Sequence, residues 1–213
     1  NVRAELDMVV NGTWHFHCMQ YRVMNTAGKY ALCDCTGYRL DGTDTEPNMY
    51  VGIVTNRSLA DTTDSVTGLG DIHALVIGEM RRVARNAGLI AIKIDEIAQV
   101  NARFGFDAGD RVLAESAACL MDCSRGKGRL FRSTGPMFVA LFDELDPEET
   151  DAVADEIERF LGSPVLLGSF EYQPPLRVAT LHLDAVDRQP VSILNELNAL
   201  IKEAPQVPGT KLD

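Results

Sequence analysis

The residues that could do chemistry fall in a few short stretches. Lys93-Ile-Asp95-Glu96 brings two carboxylates and an ammonium together. Asp95 and Glu96 are the ligand types that hold a divalent cation against phosphate, and Lys93 could meet a phosphate directly as a point charge. A strand-end Lys93 reaching into solvent would look the same in sequence. His15-x-His17 and Cys33-x-Cys35 place nitrogen and sulfur donors at alternate positions, so each pair shares one face of a strand. Those donors suit Zn²⁺, although His and Cys on strands equally serve as packing. Cys119 and Cys123 lie one helical turn apart, as two residues on a core-facing stripe would. No Ser/His/Asp arrangement, Walker loop or dinucleotide fingerprint occurs.

The elements that must carry these groups are readable from pattern. Residues 8–57 read as strands and turns: a first strand within 12–24, a turn at 25–28, a second strand over 29–40, a loop at 41–47 and a third strand over 49–55. That predicts a three-stranded antiparallel meander. Residues 58–63 form a short polar linker. Beyond it, Ile72, Leu75, Val76, Met80, Val83 and Ala84 recur at helical spacing, predicting a helix over 69–87 with Gly88 as its stop. A buried strand is expected over 89–94 and a helix over 109–123. Two strands, 129–132 and 138–142, should form a hairpin. Asp146-Pro147-Glu148-Glu149 gives an N-cap, a first-turn proline and a capping-box acid, opening a helix that stops at Gly162. Strands over 165–172 and 177–183 and a helix over 190–203 complete an α+β chain.

Bulk properties limit the partners. The chain has 213 residues, 46% hydrophobic and 24% charged, as in an ordinary globular protein, and no run approaches the length of a membrane helix. Its formal net charge of −11 argues against nucleic acid or an anionic membrane surface as the main partner, but does not bar a mononucleotide. Five cysteines at these spacings, with no secretory signal, read as free thiols in the cytoplasm. The chain opens on Asn1 and not on Met, which leaves room for an upstream membrane segment in a longer parent.

Several motifs fall in a telling order. Asp64-Ser-Val-Thr-Gly-Leu69 comes first, then Leu89-Ile-Ala-Ile-Lys-Ile-Asp95, Asn101, Gly105 and Gly109-Asp110. Arg132-Ser-Thr-Gly-Pro-Met-Phe138 closes the series. Over residues 64–213 this resembles a GGDEF domain, the family of diguanylate cyclases that join two GTP into cyclic di-GMP. The resemblance implies the nucleotidyl-cyclase form of the palm fold, with a ferredoxin-like core. It implies two metal-placing acids, the first Asp of an Asp-x-Asp and the third residue of Gly-Gly-Asp/Glu-Glu-Phe. Those positions hold Lys93 and Pro136 here, and Met137 replaces the next acid, so the degenerate motif is Thr134, Gly135, Pro136, Met137 and Phe138.

The implied function is therefore a catalytically inactive regulatory domain in bacterial signal transduction that binds GTP or cyclic di-GMP without turnover. It would have no cofactor of its own, and Mg²⁺ only with a bound nucleotide. Asn101 and Asp110 match the guanine-reading residues; alternatively Asn101 caps a turn and Asp110 sits in the first turn of a helix. Lys93, Thr134 and Gly135 are the candidates for phosphate. The family's Lys and Arg contacts to phosphate correspond to Pro205 and Gly209, with Lys202 nearby. Arg125 is the remnant of an Arg-x-x-Asp product site, with Lys127 and Arg129 beside it. Two other functions stay open: an interaction or homodimerisation module with an empty site, and an active cyclase using Asp95 and Glu96. The strand order in 1–57 is similar to the back half of a PAS domain. Because the linker 58–63 is so short, these strands should pack close to the second domain.

Overall fold

β-branched and aromatic residues at the start of the chain pair as expected. The structure is a computed structural model describing residues 2–24, 30–42, 48–56, 62–80, 87–124, 128–133, 135–183 and 189–212. Strands β1 (Phe16–Met24), β2 (Tyr30–Leu40) and β3 (Met49–Asn56) form an antiparallel meander in the order β1-β2-β3. The expected turn at 25–28, and most of the loop at 41–47 and the linker at 58–63, lie outside the described residues. Helix α1 (Val2–Val10) precedes the sheet, where the sequence suggested that strand structure begins at residue 8. Val9 and Val10 favour strands by type, but burial of Val9 at 0% exposure secures the helix. Gly12, at φ 79, turns the chain into β1.

The second sheet has the order β5-β6-β4-β9, from β4 (Ala87–Ile94), β5 (Arg129–Arg132), β6 (Met137–Phe142) and β9 (Leu176–Leu183). Every neighbouring pair is antiparallel. Strand β4 is buried on both faces, which explains its unbroken apolar run from Leu89 to Ile92. Residues 165–172, expected as one strand, are instead a small hairpin of β7 (Val165–Leu167) and β8 (Phe170–Tyr172), reversed at Gly168 with φ 66.

Helices cover both faces of this sheet. Ile90, Ile92 and Ile94 pack against α2 (Ile97–Phe104), α3 (Phe106–Ser124) and α4 (Pro147–Leu161). Asp146 caps α4 through a complete capping box with Glu149, as its sequence signals. Helix α2 was not anticipated, and α3 starts three residues before the expected position 109. On the opposite face, Leu89 and Ala91 pack with α5 (Pro190–Glu203) and with the helical turns that follow Asp71. Those turns replace the regular helix expected over 69–87. Asp71 Oδ1 accepts from Ala74 N at 2.8 Å, and Ala74–Glu79 is wound wide, with Met80 N donating to Leu75 O at 2.8 Å. Residues 81–86 lie outside the described residues. Gly88 is not a helix stop; it lies inside β4, paired with Phe142 and His182. The missing side chain is needed because a Cβ there would overlap the Thr150 hydroxyl of α4.

The N-terminal sheet shares the core of the second one. Phe16 and Cys18 are buried with Leu75, Leu194 and Leu197. Asn195 of α5 accepts from His15 N and Phe16 N at 3.2 Å each and donates to Phe16 O at 3.0 Å. Thr36 Oγ1 lies 3.1 Å from His73 Nε2, and Cys18 Sγ lies 3.4 Å from His73 Nδ1. The strands therefore pack close to the rest of the chain, as the short linker implies. Among the described residues no helix is long and apolar enough to cross a membrane.

Candidate functional site

The C-terminal end of β4 is where chemistry-bearing residues meet. Its partners β6 and β9 place Met137 and Arg177 directly beside Lys93. Ile94 N donates to Pro136 O at 2.9 Å, and Asp95 N to Pro175 O at 2.8 Å, so the strand ends are tied together. Lys93 Nζ lies 2.9 Å from Asp95 Oδ1. Arg177 Nε lies 2.9 Å, and Gln206 Nε2 2.8 Å, from Asp95 Oδ2. Burial alone would raise the Asp95 carboxyl, but hydrogen bonds from Lys93, Gln206 and Arg177 outweigh it and hold the group below the usual range. Both carboxylate oxygens are thus engaged by cations and an amide. Glu96 follows at φ 63, at the start of α2, with no side-chain hydrogen bond to the helix.

A cleft of about 360 Å³ opens here, lined by Lys93, Asp95, Glu96, Asn101 and Pro136 among others. The structure thus brings together five of the sequence-predicted groups, Lys93, Asp95, Glu96, Asn101 and Pro136. Asn101 is inside α2 and does not cap a turn. Its Oδ1 is buried without a hydrogen-bond partner and rests on Gly109, where a Cβ would overlap it. Asp110 is exposed on α3; because that helix begins at Phe106, it lies beyond the first turn that sequence assigned to it.

The hairpin between β5 and β6 is shaped by Arg132. Its guanidinium stacks 5.0 Å over Phe138 and donates to Gly135 O through Nε at 2.7 Å and through Nη2. Gly135 takes the left-handed conformation at φ 55 that this tight turn requires. Burial pulls the Arg132 pKa down, while the charges of Asp64 and Asp110 act against that. Met137 is 5% exposed and Phe138 1%, so the last two motif residues are core residues. Thr134, Arg125 and Lys127 lie outside the described residues. Arg129, beside them, is paired with Asp143 and Glu79.

The C-terminal segment returns along the sheet. Val207 and Leu176 exchange hydrogen bonds of 3.1 and 2.8 Å, and Thr210 N donates to Gln173 O at 2.8 Å. Gly209 packs so tightly on the backbone at 173–175 that no side chain fits there. Pro205 and Lys202 are exposed. Arg177 and Gln206, which hold Asp95, were missed from sequence because they lie 82 and 111 residues away.

The His and Cys pairs do not converge on a metal. His17 stacks on Tyr50 and lies 3.2 Å from Cys35 Sγ, whereas His15 pairs with Asp41 at 3.4 Å. Burial lowers the His17 pKa. Among the described residues no group of three or more His, Cys, Asp or Glu could hold a metal ion, and all five cysteines are free thiols.

Residues 44–164 match the family model described as diguanylate cyclase, GGDEF domain. Among solved structures, the chain is similar to diguanylate cyclase SiaD of Pseudomonas aeruginosa, determined in complex with its activator SiaC. The identity is 22% and the TM-score 0.62, over 68% of this chain and 58% of that one. A sensory box/GGDEF family protein of Caulobacter crescentus matches at 20% identity and TM-score 0.61, over 68% of this chain and 97% of the other. The GGDEF domain of FimX from Pseudomonas aeruginosa matches at 20% and 0.59, over 68% and 94%. At these identities the likeness carries the α+β fold alone. No curated protein matches the chain.

Proposed function

The chain belongs to the GGDEF family of diguanylate cyclase domains, and from that premise we propose that it has lost turnover. It would be a regulatory domain of bacterial signal transduction that holds GTP or cyclic di-GMP without converting it. One observation carries this: Lys93 stands at the cyclase metal position, and the nearby carboxylate of Asp95 is already engaged on both oxygens by Lys93, Arg177 and Gln206. The residues present do not fit Mg²⁺. A bound Mg²⁺ needs one or two free carboxylates beside the phosphates. Here an ammonium lies 2.9 Å from Asp95, which leaves Glu96 at the start of α2 as the remaining acid lining the cleft, and the facing hairpin offers Pro136 and a buried Met137.

Nucleotide retention is supported by what lines the cleft. Lys93 is 39% exposed and spends one of its three N–H bonds on Asp95, leaving donors for a phosphate. Asn101 lines the cleft, so its side-chain amide is the group that supports base recognition. Asp110 would add the carboxylate contact, and Gly135 an amide near phosphate. We assign residues 1–57 to a partial PAS-like sheet, 58–63 to a linker and 64–213 to the degenerate GGDEF domain, acting in the cytoplasm.

Calorimetric titration with GTP and with cyclic di-GMP, each with and without Mg²⁺, tests this. Saturable binding that ignores Mg²⁺ and weakens about tenfold or more in Asn101→Ala is expected, with no cyclic di-GMP formed from GTP. Absence of heat with both ligands would overturn nucleotide retention, and product formation would overturn inactivity.

A further inference from the structure

Strand β9 borders the second sheet and pairs with β4 on one side. Its other side opens into a groove of about 430 Å³ between α4 and α5. Leu176 N and O both exchange hydrogen bonds with Val207, so they point away from β4. Antiparallel pairing alternates that direction residue by residue, so the N–H and C=O groups of Val178, Thr180 and His182 point outward as well. Among the described residues, Val207 meets this edge at Leu176 alone, and Thr210 then follows Gln173, away from residues 178–182. Charges and prolines are the ordinary defences of an open edge, and the run Val178-Ala179-Thr180-Leu181 has neither.

The two banks of the groove differ in chemistry. Helix α4 lines one with Asp151, Asp155 and Glu158, which share a helix face. Thr180 Oγ1 donates to Asp151 Oδ1 at 2.7 Å, so the even-numbered residues of β9 face this bank. Helix α5 lines the other with Leu200 and Ala204, and the odd-numbered Ala179 and Leu181 pack on that side. We propose that the groove takes an extended segment of a partner protein in which basic and apolar residues alternate, added to β9 as a further antiparallel strand. Successive side chains of a strand point to opposite faces. One face of the segment therefore brings Lys or Arg to Asp155 and Glu158, and the other covers Leu200 and Ala204. Its main chain pairs with Val178, Thr180 and His182.

Charge selects this occupant over others. The net charge of −11 attracts a basic segment, and the acidic bank repels nucleic acid and anionic lipid. A second copy of this chain does not fit, because directly opposed residues of an antiparallel pair lie on the same face. Two β9 edges side by side would set the acids of one α4 near those of the other. The groove shares no lining residue with the cleft at Lys93, so occupation does not depend on nucleotide.

The test is fluorescence anisotropy of a labelled, end-capped Lys-Val-Lys-Val-Lys-Val-Lys peptide titrated with the full chain. Saturable binding that weakens with added salt is expected. The double variant Asp155→Lys, Glu158→Lys should bind it about tenfold more weakly with unchanged circular dichroism, and should bind the matching Glu-Val peptide more tightly than the native chain does. Antiparallel addition sets the lysines opposite the even-numbered residues of β9, so their N–H groups face the strand. Methylating the lysine amide nitrogens should therefore abolish binding to the native chain, and methylating the valine amides should not. No saturation with the Lys-Val peptide, native affinity in the double variant, or binding that survives lysine N-methylation would each overturn the proposal.

Discussion

Asp95 sits between opposing effects: burial disfavours its charge, while Lys93, Gln206 and Arg177 favour it more strongly. Its carboxyl is therefore more acidic in the folded chain than in the unfolded one. A group with a depressed folded pKa adds stability above its unfolded pKa, near 3.9 for Asp, and loses it as pH falls through the folded value. Replacing Asp95→Asn should cost about 1–3 kcal/mol at neutral pH, since two cationic side chains lose a partially buried partner. The difference from native should shrink as pH drops below about 4. Denaturant midpoints of both proteins across that range measure it, and a constant difference would show that the carboxylate charge is not the source. The site was half legible at this scale. Lys93 and Asp95 are two residues apart at the end of β4, so their pairing is a local matter. Arg177 and Gln206 reach Asp95 only because β9 lies next to β4 and residue 207 bridges to β9, and no local pattern announces a sheet order.

Helix α4 shows an element written almost wholly in its own sequence. Asp146 Oδ1 accepts from Glu149 N at 2.8 Å, Glu149 Oε2 accepts from Asp146 N at 3.1 Å, and Pro147 opens the first turn where no donor is needed. Substituting Asp146→Ala should lower stability by about 1 kcal/mol, read as a shift in thermal midpoint, with no change in any ligand titration. The turns after Asp71 show the opposite case. Ile72, Leu75, Val76 and Met80 have helical spacing, and the wide winding over Ala74–Glu79 keeps all four buried. Apolar spacing fixes which face is buried, but it does not distinguish the winding. Gly88 misled for a related reason. Glycine after an apolar helical stretch is a common stop, yet here its lack of a side chain serves the approach of Thr150, a contact between residues 62 positions apart. The break at Gly168, the short α2 and α1 escaped notice because each spans few residues and takes its stability from tertiary burial.

For the whole molecule, the decisive feature is that two sheets bury side chains in one core. Asn195 is the polar latch on that contact, with three hydrogen bonds to His15 and Phe16. Asn195→Ala should speed amide exchange in β1 by about tenfold, the effect of losing roughly one net hydrogen bond, while amides in β4 and β6 keep native protection. Uniform acceleration in all three strands would mean that the sheets open as one unit. The close packing of the strands was foreseen from the brevity of the linker; which residues make the contact was not, since α5 and β1 stand at opposite ends of the chain. The shared core also bears on inheritance. Sensor and output domains are exchanged between genes most easily where a cut leaves each interior whole. A cut before Asp64 would carry off Phe16 and Cys18 and open the packing around Leu75, Leu194 and Leu197. The smallest segment that recombination could move as a working unit therefore includes the meander, and the two sheets are bound to diverge together.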